Sequence, residues 1–261
     1  VDFYLQNRYR IKDLYSSEIK LLKKINKKEI STILDIGCAT GGFYEIFRKL
    51  FSKKIKYYGV DIEKKMILSA RKRFFGNRST KFDSLNKTNL KINSFYDLVF
   101  STGTLNHNKN YKSIIKEMLR VSKKYAFIDS PRVHFGKSFK SHINLTKRFP
   151  SNIKKNNLVN NYIVNLKSYL IFLNKSLIEN NVNKAIFYFD RLPYKKKYLA
   201  LNKDIYFLTI LCEKSNAKNK SLNCQFLTDD KEAKKLFLDI FKNKWKQQLL
   251  LVTAEWVKDI I

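Results

Sequence analysis

Apolar residues recur at helical spacing from Tyr4 through Ile11, Leu14, Tyr15, Ile19 and Leu22 to Ile25, so residues 3–26 read as a helix. Short β-branched and aromatic runs then alternate with helical stretches. Residues 31–36 (STILDI) form a strand ending at Gly37, 43–51 a helix, and 56–61 (KYYGVD) a second strand. A helix over 63–75 turns Met66, Ile67 and Ala70 inward, and a weaker strand lies near 80–83. Residues 96–101 (YDLVFS) form a clear strand, 111–122 a helix and 124–129 (KYAFID) another strand. Strands that alternate with helices pair in parallel through crossovers, which predicts an α/β, doubly wound, mostly parallel sheet with helices on both faces.

Beyond residue 130 the stretch PRVHFGKSFKSHINL reads as a loop, and a helix is expected near 158–179. Two β-rich runs follow, 184–189 (KAIFYF) and 204–212 (DIYFLTILC), joined by a link that carries Pro193. They predict two late strands closing the sheet, one of them antiparallel. Residues 214–230 are polar and linker-like. Residues 231–257 are helical, with Leu236, Phe237, Ile240, Trp245, Leu249 and Trp256 as the apolar members. The expected organisation is therefore a helical cap over 1–29, one main domain over 30–213 and a C-terminal helical extension over 214–261. That extra helix is expected to pack on the main domain. An oligomer contact, giving a homodimer, or a lid is the alternative. No internal repeat is visible.

Composition narrows the classes. With 44% hydrophobic and 14% aromatic residues the chain has the makings of one sizeable core. No run of 18 apolar residues occurs, so no membrane span is expected. The opening residues VDFYLQNRYR lack a leader layout. Cys38, Cys212 and Cys224 are scattered, with no CxxC or Cys/His cluster, so neither a disulfide framework nor a metal site is expected, and a reducing cytoplasm follows. The net charge of +31 brings in nucleic acid as a partner. Lys far outnumbers Arg, however, and Arg is the residue that reads phosphates and bases in a fork. Solvated surface is the simpler reading of the charge, and a nucleic-acid partner ranks below a small molecule.

The segment ILDIGCATGGF, residues 33–43, carries the chemistry. A strand runs into a glycine-rich turn and then a helix. Gly37 and Gly41 permit a tight turn and a close approach to a ligand, and the helix start offers unpaired N–H groups. Asp61, twenty residues beyond Gly41, ends the next strand, where a carboxylate can accept both hydroxyls of a ribose. A pyrophosphate is disfavoured, because Ala39 places a methyl where the backbone must approach it and Asp35 adds negative charge. A cationic nucleoside suits the same features.

DIGCATGG resembles the first motif of class I S-adenosylmethionine (SAM)-dependent methyltransferases, with Ala39 in place of the usual middle glycine. YYGVD resembles the second motif, KFDS the third and FYDLVFSTGTLNH the fourth, and EMLRVSKKYAFIDS resembles the helix and strand that follow. The resemblance covers residues 30–130 closely and runs on in element order to 212. It implies a Rossmann-like fold with SAM as cofactor and S-adenosylhomocysteine (SAH) as product. It further implies that Asp35, Gly37, Cys38, Ala39 and Gly41 cradle the methionine half, that Asp61 binds the ribose, and that Ile62 and Met66 flank the adenine. Asp83 or Ser84 would sit beside the adenine, and Ser101, Thr102 and Gly103 would line the opening towards substrate.

A hydroxyl acceptor needs a base. His107, after the fourth motif, is the first candidate and His134 the second. His134 and His142 lie in the stretch after the fourth strand, a natural substrate wall. Arg132 there and Arg8 near the N-terminus are candidates for pairing with a carboxylate or phosphate. The fourth motif lacks the Asn/Asp-Pro-Pro-aromatic sequence of base amino-methylating enzymes and the cysteine of cytosine-C5 enzymes. The expectation is O-methylation of a sugar or related small polar metabolite in a bacterial surface-polysaccharide or natural-product pathway. An RNA methyltransferase and a non-catalytic scaffold subunit are the alternatives.

Overall fold

A computed structural model describes residues 8–85, 92–144, 158–191, 204–215 and 221–242. Five strands, β1 (Thr32–Ile36), β2 (Lys56–Asp61), β3 (Thr80–Ser84), β4 (Tyr96–Ser101) and β5 (Ser122–Asp129), lie side by side in the order β3-β2-β1-β4-β5, all parallel. Next to β5 runs β10 (Tyr206–Lys214), antiparallel. It is followed by β9 (Val182–Arg191), antiparallel to β10, and β11 (Asn223–Leu227), parallel to β9. The expected late antiparallel strand is thus β10. The main sheet is a doubly wound, Rossmann-like one.

The side-chain alternation of the strands divides the core in two. On one face Ile33, Leu98, Phe100, Tyr125 and Phe127 pack against α1 (Ser16–Leu22), α2 (Phe43–Leu50) and α3 (Lys64–Arg73). On the other, Leu34, Val99, Ala126 and Ile128 pack against α4 (Tyr111–Val121), α5 (Leu166–Glu179) and α6 (Lys231–Lys242). Helices therefore cover both faces, as the strands, buried on both sides, require.

Several elements depart from expectation. The N-terminal helix is shorter, with a single 3-10 turn at Ile11–Asp13 ahead of α1, because Leu14 and Tyr15 are extended and cap the two pieces. The stretch after β5 is a branch of the sheet and not a loop: β6 (Arg132–His134) pairs with β10, β8 (Leu158–Asn165) pairs in parallel with β6, and β7 (Phe139–Asn144) runs antiparallel to β8. The helix expected over 158–179 begins only at Leu166. The side chain of Asn165 accepts the backbone N–H of Ser168, an N-cap that starts α5 where the strand stops. The polar stretch expected as a linker contains β11, whose Cys224 and Phe226 are buried between the more exposed Asn223, Gln225 and Leu227. Tyr4, Pro193, Trp245, Leu249 and Trp256 lie outside the described residues. No helix among the described residues is long and apolar enough to cross a membrane.

Candidate active site

The turn from β1 to α2 is fixed by its neighbour strand. The N–H groups of Gly37 and Cys38 both donate to the carbonyl of Val60, at 2.8 and 3.1 Å. Ala39 donates its N–H to Asp61 Oδ2 at 2.9 Å, and Glu63 donates to Asp61 Oδ1 at 2.9 Å. The glycine turn and the acid that ends β2 are therefore in direct contact, and the carboxylate keeps lone pairs for further donors. Burial raises the pKa of Asp61 against the N–H bonds that lower it.

Gly37 (φ 82°), Ala39 (φ 48°) and Gly41 (φ 75°) all occupy the left-handed region. For Ala39, whose β-carbon makes this conformation costly, the bond to Asp61 offsets part of the strain. The two glycines serve protein packing as well. A β-carbon on Gly37 would overlap the Thr104 side chain, and one on Gly41 would lie 2.6 Å from the Phe82 ring. The Cys38 side chain points into the core against Gly59, so only its backbone belongs to the turn.

Asp35 is buried in β1, and the Tyr57 hydroxyl donates to its carboxylate. Burial pushes its pKa up to about 7, with the Tyr57 bond opposing and the charge of Asp61 adding to the rise. Beyond the carboxyl ends of β2 and β3, Ile62 and Ser84 are exposed and Met66 is half-buried. Asp83 is held by Tyr58 Oη at 2.8 Å, Arg71 at 2.8 Å and Lys81 at 3.3 Å. Burial works to raise its pKa, but these partners win and hold it below the ordinary carboxylate range.

At the carboxyl ends of β4 and β5 the expected Arg8, Thr102, Gly103 and Arg132 meet two acids that the sequence motifs did not single out, Glu18 and Asp129. Arg8 forms a two-pronged pair with Glu18 of α1, at 2.5 and 3.0 Å. Thr102 donates its hydroxyl to Glu18 at 2.6 Å, and Gly103 donates its N–H to Asp129 at 2.9 Å. Arg132 lies 3.6 Å from Asp129 and stacks over the Phe207 ring at 3.9 Å. Glu18 is only 1% exposed, although it occupies the apolar stripe between Leu14 and Leu22. A charge on a buried helical stripe is the signal that would have revealed it. The sequence sign for Asp129 is weaker, an acid closing the last parallel strand. Ser101 is fully buried and bonds the Ile36 carbonyl at 2.9 Å, so it ties β4 to β1 and does not face an opening. By contrast, a β-carbon on Gly103 would meet open space.

The histidines are engaged elsewhere. His107 donates from Nδ1 to the Asn160 carbonyl at 2.6 Å, and its Nε2 is 3.0 Å from the Asn106 amide. His134 is buried, donates from Nε2 to the Lys137 carbonyl at 2.6 Å and accepts the Gly136 N–H at Nδ1. His142 lies on β7 opposite Asn160. No group of residues suited to a metal occurs among the described residues.

The site end therefore gathers four carboxylates, Glu18, Asp35, Asp61 and Asp129, around two guanidinium groups, Arg8 and Arg132. In a chain of net charge +31 this local excess of acids favours a cationic ligand over a diphosphate.

A family model described as a methyltransferase domain matches residues 27–239. No curated protein matches the chain. Among solved structures, the N-terminal domain of EvdMO1, crystallised in the presence of SAH and D-fucose, superposes with a TM-score of 0.51 at 11% identity, covering 72% of this chain and 78% of that one. The O-methyltransferase of a trans-AT PKS multienzyme from Brevibacillus brevis, in complex with SAH, gives 0.51 at 14% identity, covering 76% and 72%. The O-methyltransferase region of StiE gives 0.51 at 11% identity, covering 87% and 78%. At these identities the likeness is one of fold.

Proposed function

The chain belongs to the methyltransferase domain family, and from that premise we propose that this SAM-dependent enzyme methylates a hydroxyl of a small polar acceptor, a sugar or related metabolite. The observation that carries the reading is the contact between Ala39 and Asp61, which makes the β1–α2 turn and the end of β2 one binding surface. The O-methyltransferases among the similar folds, and the D-fucose present with one of them, support a hydroxyl acceptor of that kind. A surface-polysaccharide or natural-product pathway accords with it.

When bound, SAM would supply a methyl group already activated by its sulfonium. Asp61 would accept hydrogen bonds from the ribose hydroxyls, Ile62 and Met66 would contact the adenine, and the backbone of residues 37–41 would hold the methionine half. A bound cation would favour the ionised form of Asp35, buried behind the turn, whose pKa burial raises to about 7. What remains for the protein is alignment and the removal of the acceptor's proton. His107 and His134 have both ring nitrogens occupied, which casts them as supports of the β6–β8 wall. We assign the proton to Asp129, whose carboxylate is oriented by the Gly103 N–H and lies 3.6 Å from Arg132.

Calorimetry tests the cofactor site: Asp61→Ala is expected to weaken SAH binding at least about tenfold, the worth of a charge-assisted bond or two. Equal affinity for both proteins would remove Asp61 from the site. With SAM saturating, Asp129→Asn should lower turnover far more than His107→Ala. The opposite ranking would return the base to His107.

A further inference from the structure

The two connections that lead into β2 and β3, residues 48–56 and 71–81, contain ten Lys and Arg and no Asp or Glu. Over the whole chain acids number 22 against 53 bases, so this corner is more one-sided than composition alone requires. Strand register brings the two connections together, because Tyr57, the second residue of β2, pairs with Thr80, the first of β3. Arg48, Arg71 and Lys81 are engaged with Glu45 and Asp83. Lys49, Lys53, Lys54, Lys56, Lys72 and Arg78 are exposed and have no acidic partner among the described residues.

Two large apolar side chains project from the same corner. Phe75 is 92% exposed in the turn after α3, and Leu68 is 63% exposed one helical turn above Lys72 on the outer face of α3. Beside Phe75 a shallow cavity of about 510 Å³ is bounded by Arg71, Phe74, Arg78 and Phe82. The corner is at the amino ends of β2 and β3, the opposite end from Asp61 and Ser84. Neither the core nor the candidate cofactor site uses Leu68, Phe75 or the exposed lysines.

We propose that this corner docks the enzyme on an anionic lipid surface. Cations around a protruding aromatic ring match what such a surface offers: negative headgroups over an apolar layer. Two observations favour lipid over nucleic acid. Leu68 gains nothing from a phosphate backbone or a base, yet its side chain enters an acyl boundary. The exposed charges without an acidic partner are five lysines and a single arginine, while Arg73 is half-buried with its guanidinium over the Tyr9 and Phe74 rings; a set dominated by lysine point charges suits a diffuse field and not forked recognition of bases. In this pose Phe75 and Leu68 enter the headgroup boundary, the lysines remain at headgroup level, and the cofactor mouth faces away from the bilayer.

The test is co-sedimentation of the full chain with vesicles of phosphatidylcholine alone or with one-third phosphatidylserine. Binding is expected only to the anionic vesicles and should fall at high salt. Phe75→Ala should weaken it about fivefold, and Lys53→Glu with Lys54→Glu at least about tenfold. SAH affinity should be unchanged in both variants, which shows that each is folded. Absence of binding to anionic vesicles, or variants that bind as the parent does, overturns the proposal. So does a Phe75-dependent affinity for single-stranded oligouridylate without vesicle binding, which would make the corner a nucleic-acid surface.

Discussion

Asp35 illustrates what a motif conveys and what it leaves out. Its place before the glycine turn is plain in the sequence, and so is its use to a cationic ligand. Its protonation is not, because that depends on Tyr57, a partner 22 positions away that only the pairing of β1 with β2 brings near. Burial raises its folded-state pKa to about 7, with the Tyr57 bond opposing. A carboxyl raised on folding contributes stability that is fully present below the ordinary carboxylate range and is lost as pH rises to about 7. Asp35→Asn should therefore flatten the fall in thermal midpoint between pH 4 and pH 7, measured by circular dichroism. An unchanged slope would mean that Asp35 is ionised throughout. The glycines teach a related lesson: the sequence identifies Gly37 as a turn former, but only the fold reveals that Thr104 fills the space a side chain would need.

At the scale of elements, periodicity succeeded where one face is buried and failed where a strand runs straight into a helix. Leu158–Asn165 and Leu166–Glu179 are both rich in apolar residues, and without Gly or Pro between them the join shows only in Asn165 as a cap. β11 escaped notice for a different reason: its five residues lie in polar surroundings, so the buried alternation of Cys224 and Phe226 is easily overlooked. The α1 helix was legible, but not the reason for its position. Glu18 anchors the segment that carries Arg8 across Gly42, where an added β-carbon would lie 2.5 Å from the Arg8 carbonyl. Glu18→Ala leaves a largely buried guanidinium without its partner, which costs about 3 kcal/mol. Urea unfolding should register that loss. The Arg8→Ala, Glu18→Ala double variant should lose less than Glu18→Ala alone, because no uncompensated charge remains. A double variant at least as unstable would show that the pair stabilises the fold outright.

For the whole molecule, the class of sheet was legible because alternating strands and helices leave few topologies open. The place of the last segment was not, since a C-terminal amphipathic helix can pack, swing or dimerise on the same pattern. Phe237 of α6 is fully buried, stacks at 4.2 Å on Phe226 of β11 and meets Phe187 of β9 edge-on at 5.0 Å. Phe237→Ala is expected to destabilise the fold by about 3–5 kcal/mol, measured by denaturant titration. A loss below about 1 kcal/mol, the range of a surface substitution, would indicate a detachable extension.

The antiparallel partner of β5 also sets a timetable for synthesis. The five parallel strands lie within residues 32–129, and the strand that covers the edge of β5, β10, is not synthesised until residues 206–214. At ordinary translation speeds the nascent chain carries an unfinished sheet for on the order of ten seconds. A bare strand edge of this kind is a template on which any other extended segment can pair until β10 closes it.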